Sequence, residues 1–197
     1  MEHSSMGKIE NGYKYVKNFL TTEELKLLQD YTLMYHRFNV TNFDTSEQSD
    51  NHDTFVYHDK IMESLLQNKV PLMEKESGLK LFPTYSFWRM YTRHAILYKH
   101  TDRPACEISV TLPLYSSGEK WPIAMGGKYI DIEPGDAVMY EGCDIEHWRD
   151  EYQGDGQSQV FLHYVDANGK YKDFKFDKRG GCGYPPTAES GRKDLPT

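Results

Sequence analysis

Glu107-Ile108-Ser109-Val110-Thr111-Leu112-Pro113-Leu114-Tyr115 is the stretch on which the fold class turns. Ile108, Val110, Leu112 and Leu114 alternate with Glu107, Ser109, Thr111 and Pro113. A period of two is that of a strand, whose successive side chains point to opposite faces, so this run predicts a half-buried β-strand. Working outward, further strand-like runs cover Tyr85 to Tyr91, Ala95 to His100, Lys128 to Ile132, Ala137 to Glu141 and Ser158 to Val165, separated by turns such as Glu133-Pro134-Gly135-Asp136. Many short strands with Gly and Pro turns predict a two-sheet jelly roll.

Upstream the period changes. Thr21 and Glu24 have capping-box spacing, and Leu25, Leu27, Leu28, Tyr31 and Leu33 supply an apolar face, which predicts a helix from about Thr22 to Tyr35. A second helix is expected from about Lys60 to Ser77, with a break or kink near Pro71. The helices, over about 22–77, would cover one face of the larger sheet, and the polar run Asn39 to Asp53 reads as a loop. The expected class is α+β, mainly β: one domain over 13–176 with its jelly-roll core over about 84–166. A flexible N-terminus over 1–12 and a Gly- and Pro-rich flexible tail over 177–197 would flank it.

The chemistry-bearing residues sit just upstream of the opening stretch. His100 and Asp102 flank Thr101, and a strand that turns just after His100 can aim both at one point while Thr101 faces away. His147 follows a Gly turn and a short apolar run and would enter from a neighbouring strand. Two imidazoles and one carboxylate on one face of an octahedral Fe(II) leave the opposite positions open. Arg149, two residues past His147 on an extended strand, shares its face. His163, two residues past Phe161, would either face the same cavity or be a satisfied core histidine. Trp121 and Trp148 either line a pocket or pack with one edge near water, and His52, His58 and His94 carry no role.

These motifs resemble the Fe(II)- and 2-oxoglutarate-dependent dioxygenases, in particular the prolyl 4-hydroxylase-like branch. Phe19-Leu20-Thr21-Thr22-Glu23-Glu24-Leu25 is similar to the family's opening helix start. Tyr91 stands where these enzymes place a tyrosine, Asp131 to Asp136 resembles the turn before the distal histidine, and Val160 to Asp166 resembles the last core strand. The likeness covers roughly 13–176. It implies a double-stranded β-helix, Fe(II) held by His100, Asp102 and His147, 2-oxoglutarate and O2 as cosubstrates, and hydroxylation of a peptidyl proline or a small molecule with release of succinate and CO2. One departure matters. Where the family carries a basic residue for the far carboxylate of 2-oxoglutarate, this chain reads Gln157-Ser158-Gln159. Either the amides of Gln157 and Gln159 take that carboxylate or a cation arrives from elsewhere, Arg149 first and Arg103 second, with the Tyr91 hydroxyl as a further donor. The alternative is a cupin-like metal protein using the same three ligands without 2-oxoglutarate turnover.

Composition narrows the partners. The 197 residues are enough for one ordinary domain with a sizeable core. A formal charge of -7 without a basic run disfavours a nucleic-acid partner, because such affinity is built from Lys and Arg contacts. No stretch approaches a membrane span, and Met1-Glu2-His3-Ser4-Ser5 lacks the apolar core of a signal peptide, so the expectation is a cytoplasmic protein. Cys106, Cys143 and Cys182 form neither a CxxC pair nor a disulfide framework. A mixed His and Cys zinc site is disfavoured because it would leave Asp102 without a purpose. Oligomeric state is open.

Overall fold

The computed structural model describes residues 9–39 and 53–187. Strand β1 (Tyr13–Val16) leads into helix α1 (Thr22–Asn39), then β2 (Thr54–Tyr57), α2 (Lys60–Asn68) and α3 (Val70–Ser77). Eight more strands follow: β3 (Leu81–Thr92), β4 (Leu97–His100), β5 (Ile108–Ser116), β6 (Ile123–Met125), β7 (Lys128–Ile130), β8 (Ala137–Tyr140), β9 (His147–Arg149) and β10 (Gly156–Asp166). They form two antiparallel sheets, a large one in the order β1-β8-β5-β10-β3-β2 and a small one in the order β4-β9-β6-β7.

The helices cover one face of the large sheet, as expected. Leu28 of α1, Met62, Leu65 and Leu66 of α2 and Met73 of α3 are buried with Ile108, Val110, Leu112 and Leu114 of β5, Val160 and Leu162 of β10 and Trp88 of β3. The Thr21 capping box forms: Thr21 Oγ1 accepts from the Glu24 amide at 3.1 Å, and the Glu24 carboxylate accepts from the Thr21 amide at 2.9 Å. The expected second helix is two helices, with Lys69 (φ -87, ψ -5) as the joint and Pro71 just inside α3, where its missing N–H costs nothing.

β5 departs from its expected half-burial and is covered on both faces, from Ile108 to Leu114. Its Ser109 and Thr111 are buried because the alternate face is the inside of the jelly roll. The chain ends also depart from the expected flexible termini. Ile9 is buried and its amide donates to Glu141 at 2.5 Å. Asp177 and Arg179 are buried, so the packed region runs past the expected boundary at 176. Arg179 is held by Glu63 of α2 at 2.9 Å and by the Thr84 carbonyl at 2.9 Å. Of the expected loop over 39–53, residues 40–52 lie outside the described residues.

Candidate metal centre and anion site

Two strand pairings bring the three expected ligands together. β4 pairs with β9 so that His100 lies opposite His147 and Leu97 opposite Arg149. Asp102, just past the end of β4, is fixed by its amide donating to the Gly142 carbonyl at 2.8 Å. Asp102 Oδ1 then lies 3.5 Å from His100 Nε2 and 3.6 Å from His147 Nε2, and the imidazole centroids are 4.3 Å apart.

Both imidazoles present the nitrogen a metal needs. Nδ1 of His100 lies 2.7 Å from the Tyr98 carbonyl, and Nδ1 of His147 lies 3.0 Å from the Ile145 carbonyl. A carbonyl only accepts, so each Nδ1 carries the proton and each Nε2 offers a lone pair toward Asp102. Burial pushes the Asp102 carboxyl up, but hydrogen bonding to His100 and His147 outweighs it and holds the group below the usual carboxylate range. Asp102 Oδ2 is buried without a hydrogen-bond partner among the described residues. A buried anionic oxygen left unpartnered costs energy that a bound cation removes. Two neutral imidazoles and one carboxylate also form the donor set of an open Fe(II) site, so the residues fit the ion. Gly142 belongs to the same construction, since a Cβ there would stand 2.5 Å from Asp102 Oδ2 and 2.4 Å from the Cys106 carbonyl.

The second-row residues separate cleanly. Arg149 points into the interior with His147 and is 2% exposed, and its Nη1 donates to the Trp121 carbonyl. Its guanidinium lies 4.9 Å from the Trp121 ring centroid, while Nε and Nη2 have no hydrogen-bond partner among the described residues. Burial pushes Arg149 down to about 10, with Tyr91 and Tyr140 acting in the opposite direction, so it is still a cation at neutral pH. Tyr91 is buried 4.8 Å from the Trp121 ring. Gln157 donates to Gln159 Oε1 at 3.0 Å and Gln159 donates to Thr111 Oγ1 at 2.7 Å, so the two amides are largely engaged with each other and with β5. Arg103, the second candidate cation, is committed elsewhere, with both Nη atoms 2.7 Å from the Asp177 carboxylate.

Some residues that matter here went unread in the sequence. Arg89, fully buried in β3, is paired with Asp53 at 2.9 Å and lies 4.7 Å over the Tyr91 ring. An arginine inside the apolar run from Tyr85 to Tyr91 was the available signal, because a charge in a buried strand must find a partner. Ser109 is the other, 2.8 Å from His163 Nδ1. Cys106 lies near Asp102 and His163, with its sulfur 3.2 Å from the Tyr85 hydroxyl; burial pushes its thiol well up, so it stays protonated. His94 contacts Glu151 at 2.6 Å on the surface, away from the three ligands. Among the described residues no helix is long and apolar enough to cross a membrane.

No protein family and no curated protein matches the sequence. Solved structures do match. A prolyl-4-hydroxylase from Pseudomonas putida is 16% identical over 77% of this chain and 91% of that chain, with a TM-score of 0.57. The non-heme alpha ketoglutarate dependent carbocyclase SnoK from nogalamycin biosynthesis is 12% identical over 89% of each chain, with a TM-score of 0.66. EctD from S. alaskensis, solved with 2-oxoglutarate and 5-hydroxyectoine, is 14% identical over 100% of this chain and 88% of that chain, with a TM-score of 0.63. At such identities the likeness is one of fold. By that measure the chain is a double-stranded β-helix of the kind found in these 2-oxoglutarate-dependent oxygenases.

Proposed function

We propose that this protein is an Fe(II)- and 2-oxoglutarate-dependent oxygenase that hydroxylates a small molecule or a peptide. The observation that carries the reading is the three-residue strand β9. It offers a ligand imidazole at His147 and, two residues on, a buried guanidinium with two unpartnered N–H groups at Arg149. A metal site alone would serve many proteins, but a buried cation without a carboxylate calls for an anionic ligand beside the metal.

His100, Asp102 and His147 would hold the ion. Bound there, Fe(II) supplies oxygen activation coupled to decarboxylation of the 2-oxo acid to succinate and CO2 and to hydroxylation of a substrate C–H. The protein's own residues supply geometry and electrostatics. The Tyr98 and Ile145 carbonyls fix the imidazole tautomers, and Arg149 donates through Nε and Nη2 to the far carboxylate of 2-oxoglutarate. The Trp121 ring and carbonyl hold that guanidinium in place. Tyr91 closes the apolar side of this anion site, and Gln157 and Gln159 brace its floor rather than replace the cation. Two facing sheets keep bulk water from the reacting groups.

The test is release of succinate from 2-oxoglutarate in air by the Fe(II)-loaded protein without added substrate, beside His100→Ala. Slow turnover lost in the variant is expected. A wild type that binds Fe(II) but releases no succinate returns the alternative, a cupin-like metal protein without 2-oxoglutarate turnover.

A further inference from the structure

The inner face of the large sheet changes character along its strands. One end carries Arg89, Tyr91, Gln157 and Gln159, beside Arg149 and Trp121 of the anion site. The other end is aromatic. Tyr57 of β2, Phe87 of β3 and Phe161 of β10 are cross-strand neighbours, with centroids 4.1 and 5.6 Å apart and interplanar angles of 19° and 20°. Tyr85 adjoins Tyr57 at 6.1 Å and 30°, and His163 adjoins Tyr85 at 4.5 Å and 32°. Five rings, each tilted by no more than 32° from its neighbour, thus make a shelf. The shelf ends beside the metal ligands, since a ring nitrogen of His163 lies within 4.8 Å of an Asp102 carboxylate oxygen.

The polar feature of this shelf has a defined sense. Ser109 donates its only hydroxyl proton to the Cys106 carbonyl at 3.0 Å. Its oxygen therefore accepts from His163 Nδ1, 2.8 Å away, which leaves Nε2 of His163 as an unprotonated acceptor. No hydrogen bond to that Nε2 is made by the described residues. The guanidinium groups nearest the shelf are already neutralised. Arg103, 4.5 Å over the Tyr85 ring, is bidentate to Asp177, and Arg89 is paired with Asp53. Nothing on this wall is left to hold a charged substrate group, whereas flat rings and one acceptor are on offer.

We infer, resting on the oxygenase reading above, that the substrate is an uncharged molecule with a flat ring seated on this shelf, and that His163 is a specificity-determining residue whose Nε2 accepts a hydrogen bond from an N–H or O–H of that molecule. The probes are indole and 1-methylindole, which differ by the donor alone. The test uses the full chain loaded with Zn(II) and labelled with nitrogen-15 at histidine, in the absence of 2-oxoglutarate. Indole is expected to shift the unprotonated nitrogen of His163 and 1-methylindole to leave it in place. Indole should bind about three- to tenfold more tightly, the span of one neutral hydrogen bond. In His163→Phe, which keeps a ring and removes the acceptor, that preference falls to about one, and His163→Gln restores part of it. Binding of both ligands with equal affinity, a preference that survives in His163→Phe, or binding of neither ligand overturns the inference. Should His163→Phe fail to fold, the wild-type nitrogen shift and the His163→Gln affinities decide alone. Because binding is read without turnover, failure of the oxygenase reading shows separately as absence of succinate.

Discussion

Arg149 is the residue at which the sequence and the structure meet most usefully. Its face could be read from β9, because His147 and Arg149 are two apart on an extended chain and side chains alternate. What could not be read was the fate of its rival, since the bidentate contact of Arg103 depends on Asp177, far along the chain. Nor could the sequence name the carbonyls of Tyr98 and Ile145 that set the imidazole tautomers, because backbone acceptors leave no trace in residue type. If Arg149 holds the far carboxylate, Arg149→Gln removes charged hydrogen bonds worth about 1.5–3 kcal/mol. The KM for 2-oxoglutarate in steady-state succinate release should therefore rise roughly ten- to a hundredfold. Arg149→Lys should recover only part, because an ammonium cannot make the two-pronged contact. An unchanged KM in Arg149→Gln would leave the side chain as packing for Trp121.

At the scale of elements, the long periodic segments were legible and the short ones were not. β5 and β10 announced themselves by alternation. β1, β2, β6 and β9, of three or four residues each, are too short for a period to register, and tertiary pairing makes them. The burial of Ser109 and Thr111 escaped the pattern for a related reason: alternation shows that a strand has two faces, not what covers the second. The C-terminal segment was misjudged because Gly and Pro composition hides the buried pair that anchors it, Arg179 with Glu63. The Glu63 carboxylate also accepts from the amides of Ser86 and Gly183, so one side chain ties α2 to β3 and to the chain end. Removing one partner of a buried pair strands the other charge, so Glu63→Ala should lower unfolding free energy by about 3–5 kcal/mol in urea titration. A change below about 1 kcal/mol would show that the segment is not held by this pair.

For the whole molecule, the jelly roll places a polar anion site, a metal site and an aromatic shelf along one interior, and that interior has a pH signature. Burial pushes His163 down to about 4 and His58 down to about 4, both below the ordinary histidine value. The unfolded chain therefore binds more protons than the folded one between about pH 6.5 and 4, so stability is lost as pH falls through that window. For His163 alone the loss at pH 5 is about 2 kcal/mol. Urea midpoints should fall accordingly from pH 7 to pH 5, and His163→Phe should show a shallower fall. Equal slopes for wild type and variant would mean that His163 is not buried as a neutral group.

The central claim is that His100, Asp102 and His147 present one Fe(II) to a 2-oxo acid held by Arg149. Its most direct test is an anaerobic titration of the Fe(II)-loaded protein with 2-oxoglutarate, followed in the visible. Growth of a charge-transfer band that saturates at one equivalent, is absent in Asp102→Ala and needs more ligand in Arg149→Gln, is the expected result. A protein that binds one Fe(II) yet gives no band at saturating 2-oxoglutarate would contradict it.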